Sequence, residues 1–297
     1  MNQVKTVGLL GLLSALLISV SYSLIGGLGG AVFGVGLAAV MNLGSWYYSD
    51  RIALAAYGAQ PTTPAQAPEL HRIVQKLAQR ARLPMPAVYL IPTPAANAFA
   101  TGRNPENAAV AVTQGIVNLL TPAELEGVIA HELSHIQNRD TLTQAVAATL
   151  GGAISFLAQI MSYALWFGAG SRGDRGGNPL GALATILLAP IAATVLQLGL
   201  SRTREYAADA NAARLTGNPR ALAQALQRLD STAKRLPMQG SPAFAPLLII
   251  NSAPKQLLSN LFSTHPSTAD RVRRLLALEQ EVSAQFAPTR PTQMMQF

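Results

Sequence analysis

The chain has no cysteine and only four histidines, and charged residues make up 12% of its 297 residues. Without cysteine it can form no disulfide and has no cysteine nucleophile. This agrees with a reducing compartment but leaves the periplasm open, because many periplasmic domains also lack cysteine. A charged fraction this low, combined with 49% hydrophobic residues, is unusual for a soluble protein and favours the membrane class.

The charged residues are also unevenly distributed. Asp, Glu, Lys and Arg are all absent from three stretches, residues 6–48, 141–170 and 176–201. A helix needs about 20 apolar residues to cross a bilayer core of about 30 Å, so the first stretch can supply two crossings and each later stretch one. We therefore predict a mainly α-helical membrane protein with four transmembrane helices, two in residues 1–49 and two in residues 141–201. The first two would be joined near residues 25–30.

The N-terminus also has a feature of a cleaved signal peptide, because Lys5 precedes an apolar run. That run is too long for the hydrophobic region of such a peptide. A second apolar segment follows it with no soluble sequence between them. We therefore interpret the N-terminal segment as a retained pair of membrane helices.

The basic residues near the predicted helix ends indicate the orientation in the membrane. One side has Lys5, Arg51, Arg139, Arg202, Arg204 and Arg214, and the other has only the loop with Arg172, Asp174 and Arg175. Both termini and the long segments are therefore predicted to face the cytoplasm. This topology and anionic lipid headgroups explain the net charge of +8, since no nucleic-acid motif accompanies it. The lipid bilayer is thus an expected partner, and nucleic acid is not.

Residues 50–140 are the first segment able to form a soluble fold. Its opening part, residues 60–68, is rich in Pro, Thr and Ala and is typical of a linker. Residues 87–91 and 108–112 are short apolar and β-branched runs separated by turn residues. We predict a small antiparallel sheet from them, with residues 97–101 as a further strand.

The next helix has a clear start signal. Thr121 is the capping residue, Pro122 takes the first helical position, and Glu124 completes a capping box. The helix that begins here contains the string His131-Glu132-Leu133-Ser134-His135, which matches the zinc-binding pattern H-E-x-x-H.

This string predicts two metal ligands and a general base. At positions i and i+4, His131 and His135 share one helix face, so their ring nitrogens can reach one Zn²⁺ at about 2.0–2.1 Å. Glu132 is rotated off that face and can accept a proton from water. Two unrelated histidines on a surface helix are the alternative. The helix is predicted independently from its cap, however, and half of the chain's histidines lie in the motif.

A catalytic zinc needs three protein ligands and an open position. Glu205 and Asp209 lie one helical turn apart, just after the last predicted membrane helix. We predict that Glu205 binds zinc and that Asp209 orients a ligand histidine through its second ring nitrogen. The alternative is a solvated face paired with neighbouring arginines. Topology favours the metal site, because His135 precedes the third predicted membrane helix and Glu205 follows the fourth.

At these residues the chain resembles the HtpX group of heat-shock proteases, membrane metallopeptidases related to the CAAX prenyl proteases. The resemblance rests on four motifs, at residues 97–102, 131–140, 201–209 and 264–266. It implies a cytoplasmic, gluzincin-like α+β protease domain with one Zn²⁺ per chain, formed by residues 50–140 and completed by the helical segment 202–297. It also implies a multi-pass protein of the bacterial inner membrane that cleaves misfolded or damaged membrane proteins under stress, as part of protein quality control.

The resemblance adds three residues that spacing alone does not identify. Asn97 is expected on an edge strand, where it would hold the substrate backbone by strand addition. His265 is expected to stabilise the oxyanion, with Arg271 binding substrate beside it. Each also has a purely structural interpretation, as a turn former, a helix-entry residue and a surface residue respectively.

The predicted function is a zinc-dependent endopeptidase acting on protein or peptide substrates. No covalent intermediate is expected, because the chain has neither a G-x-S-x-G motif nor a cysteine nucleophile. Trimming of prenylated peptides, a non-enzymatic zinc-containing membrane scaffold and a peptide sensor are the alternatives. Structural zinc sites are usually closed by four ligands, so three ligands with a glutamate beside them favour an enzyme. The sequence predicts neither the physiological substrates nor the oligomeric state.

Overall fold

The computed structural model describes residues 2–151, 154, 202–239, 244–250 and 266–286. Its α-helices are α1 Asn2–Ile25, α2 Gly27–Tyr47, α3 Ser49–Ala56, α4 Pro68–Arg80, α5 Gln114–Leu119, α6 Pro122–Gln137, α7 at residues 140–151, α8 Arg202–Thr216, α9 Pro219–Ala233 and α10 Thr268–Phe286. Its strands are β1 Gln60–Pro61, β2 Ala87–Ile91, β3 Ala98–Gly102 and β4 Ala108–Thr113. Short 3₁₀ helices lie at Pro105–Asn107 and Ala245–Leu247.

α1 and α2 form an antiparallel hairpin that turns at Gly26, within the segment predicted to join the first two membrane helices. Gly26 has a φ of 87°, which glycine adopts without strain. The two helices approach closely at Gly34, where a Cβ would lie 2.7 Å from the Cα of Ile18. Across the same interface, Asn42 donates a hydrogen bond of 2.8 Å to Ser14. A glycine contact and a polar bond thus hold an otherwise apolar pair together.

Among the described residues, α2 is the helix long and apolar enough to cross a membrane, and α1 contains a shorter apolar stretch, Thr6–Ser19. The third and fourth predicted membrane helices, at residues 141–201, lie mainly outside the described residues. Their described part, α7, packs against α1 in an apolar cluster that includes Leu9, Leu13, Val146 and Leu150.

The sheet is mixed and has the strand order β1-β2-β4-β3. β3 pairs antiparallel with β4, but β2 pairs parallel with β4, so the prediction of an antiparallel sheet is wrong for that pair. The chain reverses direction after β2 and again after β3, and β4 then inserts between these two strands. Two reversals give β2 and β4 the same direction. β3 is consequently an edge strand.

The stretch predicted as a linker, residues 60–68, contains the two-residue strand β1. Gln60 of β1 lies opposite Leu90 of β2, and the pairing is antiparallel. The prediction of a linker from composition therefore missed a short strand at the other edge of the sheet.

α6 is the central element of the fold. Its capping box is confirmed: Thr121 Oγ1 accepts the backbone N–H of Glu124 at 3.4 Å, and Glu124 Oε2 accepts the backbone N–H of Thr121 at 2.8 Å. α6 contacts α4, β3, β4, α8 and α9. Ile129 and Leu133 are fully buried in the main core with Leu222 of α9. Burying each such side chain contributes about 1.5–3 kcal/mol, which fixes the helix that carries the predicted metal ligands.

Candidate metal centre and active site

Three side chains from α6 and α8 converge on one point in the interior. The Nε2 atoms of His131 and His135 are 3.2 Å apart. Glu205 in the first turn of α8 places Oε1 3.5 Å from His135 Nε2 and Oε2 3.7 Å from His131 Nε2. Ligand bonds of about 2.0–2.1 Å at tetrahedral angles place ligand atoms about 3.3–3.4 Å apart. The separations therefore fit the three ligands of one metal ion.

The second ring nitrogen of each histidine contacts an aspartate. His131 Nδ1 lies 2.9 Å from Asp209 Oδ1, and His135 Nδ1 lies 3.3 Å from Asp140 Oδ2. Because a carboxylate accepts hydrogen bonds, each neutral imidazole carries its proton on Nδ1 and presents a lone pair on Nε2. When Nε2 of both histidines is deprotonated, the two imidazoles and the carboxylate of Glu205 direct three lone-pair donors at one point. A bound cation is what stabilises such an arrangement.

Asp209 belongs to a buried ion pair. Arg271 donates from Nε to Asp209 Oδ2 at 2.8 Å and from Nη2 to Oδ1 at 2.7 Å. Burial alone raises the pKa of Asp209, but the charge and hydrogen bonds of Arg271, together with those of His131, lower it to about 2. The opposite charge of Asp209 raises the pKa of Arg271, although burial of the guanidinium opposes this. Asp209 is therefore an anion that fixes the ring of His131.

Asp140 is a site residue that we did not predict individually. Arg139 has a φ of 57°, in the left-handed region, and this turn between α6 and α7 brings Asp140 beside His135. Arg204 donates to its other oxygen at 3.3 Å. Burial lowers the pKa of His135, but the hydrogen bond from His135 to Asp140 and the charge of Glu205 raise it, with a net value of about 9. The only sequence signal for Asp140 was its place inside the motif at residues 131–140.

Glu132 lies off the ligand face of α6 and contacts the edge strand. The backbone N–H of Ala100 on β3 donates to its carboxylate. Burial raises the pKa of Glu132, and the neighbouring His131 and His135 only partly oppose this. A carboxyl group with a raised pKa is better matched to proton transfer near neutral pH.

Asn97 immediately precedes the edge strand β3 and is fully buried. Its backbone N–H donates to Thr113 Oγ1 at 2.9 Å, which continues the pairing between β3 and β4. Its side chain donates from Nδ2 to the carbonyl of Ile250 at 2.8 Å and accepts the N–H of Ile250 at 3.4 Å. The Asn97 amide therefore holds a backbone segment through both its donor and its acceptor, and in this structure that segment belongs to the chain itself.

The structure brings most of the predicted site residues together. The clustered residues are Asn97, His131, Glu132, His135, Glu205, Asp209 and Arg271. His265, predicted to stabilise the oxyanion, lies outside the described residues. Arg271 was predicted to bind substrate. Its guanidinium donates hydrogen bonds to Asp209, and its Nη2 atom lies 3.4 Å from His131 Nδ1.

The site contains two buried histidines and a glutamate that are arranged to bind one metal. A second glutamate lies between an edge strand and that metal position. This arrangement defines a metal-dependent peptidase. Residues 64–279, well over half of the chain, match Peptidase family M48. The chain belongs to this family and is a metalloprotease.

The chain is similar over nearly its whole length to several proteins named Protease HtpX homolog. The protein from Acaryochloris marina is 68% identical over 283 residues, which cover 95% of this chain and 96% of the relative. The protein from Nostoc punctiforme is 66% identical over 282 residues, covering 95% and 98% respectively. The protein from Pyrococcus furiosus is 47% identical over 284 residues, with the same two shares of 95% and 98%.

A solved structure is also similar. The crystal structure of S. mikatae Ste24p matches with a TM-score of 0.47 and 23% sequence identity. The match covers 81% of this chain and 57% of the Ste24p chain, so this chain spans little more than half of that protein.

Proposed function

We propose that this metalloprotease is a membrane-anchored zinc endopeptidase that cleaves misfolded or damaged membrane proteins on the cytoplasmic side of a bacterial inner membrane. The observation that carries the proposal is the convergence of His131, His135 and Glu205 on one point, with Glu132 between that point and the edge strand. The shared name of the relatives supports the protease activity.

The proposed metal is one Zn²⁺ per chain. Two imidazoles and one carboxylate form a donor set of catalytic zinc, and they leave a fourth position open. When bound, Zn²⁺ supplies Lewis acidity that lowers the pKa of water and polarises a carbonyl group. Asp209 and Asp140 hold His131 and His135 in the tautomer and orientation that such binding requires.

Glu132 is the proposed general base. Its carboxylate accepts a proton from the attacking water and then transfers that proton to the leaving amine. The hydrogen bond from Ala100 N–H orients the carboxylate, and burial keeps bulk water away from it. His265 is the proposed donor to the oxyanion, and Arg271 remains a proposed substrate contact.

The edge strand β3 supports an extended polypeptide as the substrate. A backbone that adds to β3 passes Ala100, whose N–H contacts the general base. Asn97 can hold the same backbone with both its donor and its acceptor. Misfolded proteins expose extended segments of this kind, whereas folded proteins bury theirs.

The arrangement of the N-terminal helices supports a membrane location. α2 is long and apolar enough to cross a bilayer. α7 starts at Asp140, directly after the helix that carries the histidines, and packs against α1. The proposed four-span topology, with both termini in the cytoplasm, would therefore hold the active site close to the membrane surface where damaged membrane proteins are exposed.

The test is cleavage of an unfolded model protein by the detergent-purified chain, with zinc, with a chelator, and with Glu132→Gln. We expect zinc-dependent cleavage in the wild type. We expect a loss of about 10²–10⁴-fold in Glu132→Gln, with an unchanged zinc content. Glu126→Gln is the matched control, because Glu126 lies on the same helix but pairs with Lys76 at the surface.

The alternatives predict other results. A chain that binds zinc through His131, His135 and Glu205 yet cleaves nothing would be a scaffold or a peptide sensor. Equal cleavage by wild type and Glu132→Gln would contradict the proposed base.

A further inference from the structure

Residues 248–250 lie along the start of the edge strand, beside the proposed active site. The N–H of Ile249 donates to the carbonyl of Ala98 at 3.0 Å. The N–H and carbonyl of Ile250 both bond to the side chain of Asn97. The carbonyl of Ile249 accepts from Arg271 Nη1 at 3.1 Å. One dipeptide of the chain therefore occupies Asn97, Ala98 and Arg271 together.

The pairing of β3 shows why this position matters. In an antiparallel pair, alternate residues point their N–H and C=O groups away from the partner strand. Asn97 bonds to Thr113 on β4, so Ala98, Ala100 and Gly102 face outward. These are the groups to which an added strand would bond.

Most of these outward groups already have partners in this structure. The carbonyl of Ala98 binds Ile249, and the N–H of Ala100 binds Glu132. The carbonyl of Gly102 accepts from Thr141 Oγ1 at 2.8 Å. A polypeptide can therefore bond to the carbonyl of Ala98 only after the contact with Ile249 has been released.

We propose that Ile249 and Ile250 act as an internal pseudosubstrate, which holds the protease in a latent state until an unfolded polypeptide displaces them. This inference rests on the proposed function, because it assigns a regulation to the same cleft. The dipeptide is bound through its backbone, to the outward carbonyl of Ala98 and to the two residues that we predicted to contact substrate, Asn97 and Arg271.

The distance to the metal ligands supports this assignment. Arg271 contacts the carbonyl of Ile249 through Nη1, and its Nη2 lies 3.4 Å from His131 Nδ1. A single guanidinium therefore connects the bound dipeptide to a metal-binding histidine.

The bound dipeptide also indicates the class of substrate. Ile249 and Ile250 are both buried in the main core, together with Val272 and Leu275. A polypeptide that replaces them must offer apolar side chains and an unpaired backbone N–H and carbonyl. Hydrophobic segments of unfolded membrane proteins have this chemistry.

Reversible cross-linking tests the proposal, because the natural chain contains no cysteine. The variant Ala98→Cys with Ile249→Cys places two thiols on adjacent hydrogen-bonded residues of the same core cluster. Disulfide formation is verified by counting free thiols, and cleavage of an unfolded protein is measured before and after reduction. Ile249→Cys alone, treated identically, controls for the oxidant.

We expect the oxidised double variant to lose at least 10-fold in kcat/KM, to regain it on reduction, and to keep its zinc content throughout. Equal cleavage in the oxidised and reduced states would overturn the pseudosubstrate, since the dipeptide would then not need to leave. Failure of the proposed function gives a different result, namely no cleavage in either redox state or in the wild type.

A second pair of variants does not depend on disulfide formation. Ile250→Ala removes apolar burial from the dipeptide, whereas Ile73→Ala removes a similar amount from α4 in the same core. We expect both to lower Tm, but only Ile250→Ala to lower KM severalfold for the unfolded substrate. A fall in activity that is equal in the two variants would show that the dipeptide is only part of the core.

Discussion

At the scale of single residues, Asp209 combines two functions that are usually assigned separately. It orients His131 through Nδ1 and neutralises the buried Arg271. Arg271 is 1% exposed, so its charge depends on this partner. Removing one member of a buried ion pair leaves an uncompensated charge, which costs about 3–5 kcal/mol. Metal affinity and folding stability are therefore coupled at Asp209.

Substitution of the two aspartates should separate these effects. We expect both Asp209→Asn and Asp140→Asn to weaken zinc binding by about 10–100-fold, because each removes the anionic acceptor of a ligand histidine. Only Asp209→Asn should also lower the free energy of unfolding by several kcal/mol, as the side chain of Arg204 beside Asp140 is 13% exposed and better solvated. Competition with a chromogenic chelator and denaturant unfolding measure the two quantities. Unchanged zinc affinity in Asp209→Asn would contradict the orienting role.

The sequence predicted His131, His135 and Glu205 because helical periodicity and topology placed them together. Asp140 could not be predicted in that way. It reaches His135 through a turn in which Arg139 has a φ of 57°, and helical spacing contains no information on such a reversal. The hydrogen bonds between Asn97 and Ile250 could not be predicted either, because they join residues that are far apart in the chain.

At the scale of elements, the cap of α6 positions the metal ligands. Thr121→Ala should lower the free energy of unfolding by about 1 kcal/mol, because the backbone N–H of Glu124 loses its acceptor. Thr121→Ser retains the hydroxyl and should stay close to wild type. Thermal unfolding in detergent measures the difference. A wild-type Tm in Thr121→Ala would mean that tertiary packing alone fixes the start of α6.

The positions of the strands along the chain were predicted closely, but the direction in which β2 and β4 pair was not. Apolar alternation marks residues 87–91 and 108–112 equally well for either direction of pairing. The direction is decided by β3, which reverses the chain and takes the outer place beside β4. Strand order is a property of the whole chain path and not of any one segment.

At the scale of the whole molecule, the proposed metal would join two separate parts of the chain. His135 lies on α6 and Glu205 on α8, with residues 140–201 between them. A ligand that binds only the folded state stabilises it by about 2.7 kcal/mol at 100 times its Kd. We therefore expect zinc to raise Tm and a chelator to lower it, as followed by thermal unfolding. Glu205→Ala should abolish most of the response, and a zinc-independent Tm in the wild type would contradict a shared site.

The wide spacing of these residues along the chain has a consequence during synthesis. The ribosome releases His131 and His135 first, Glu205 later, and Arg271 last. At about 5–20 residues per second, Arg271 emerges roughly 7–27 s after His135. A growing polypeptide therefore cannot complete the proposed metal site before Glu205 has emerged, and it cannot form the ion pair that fixes His131 until almost its whole length has been made.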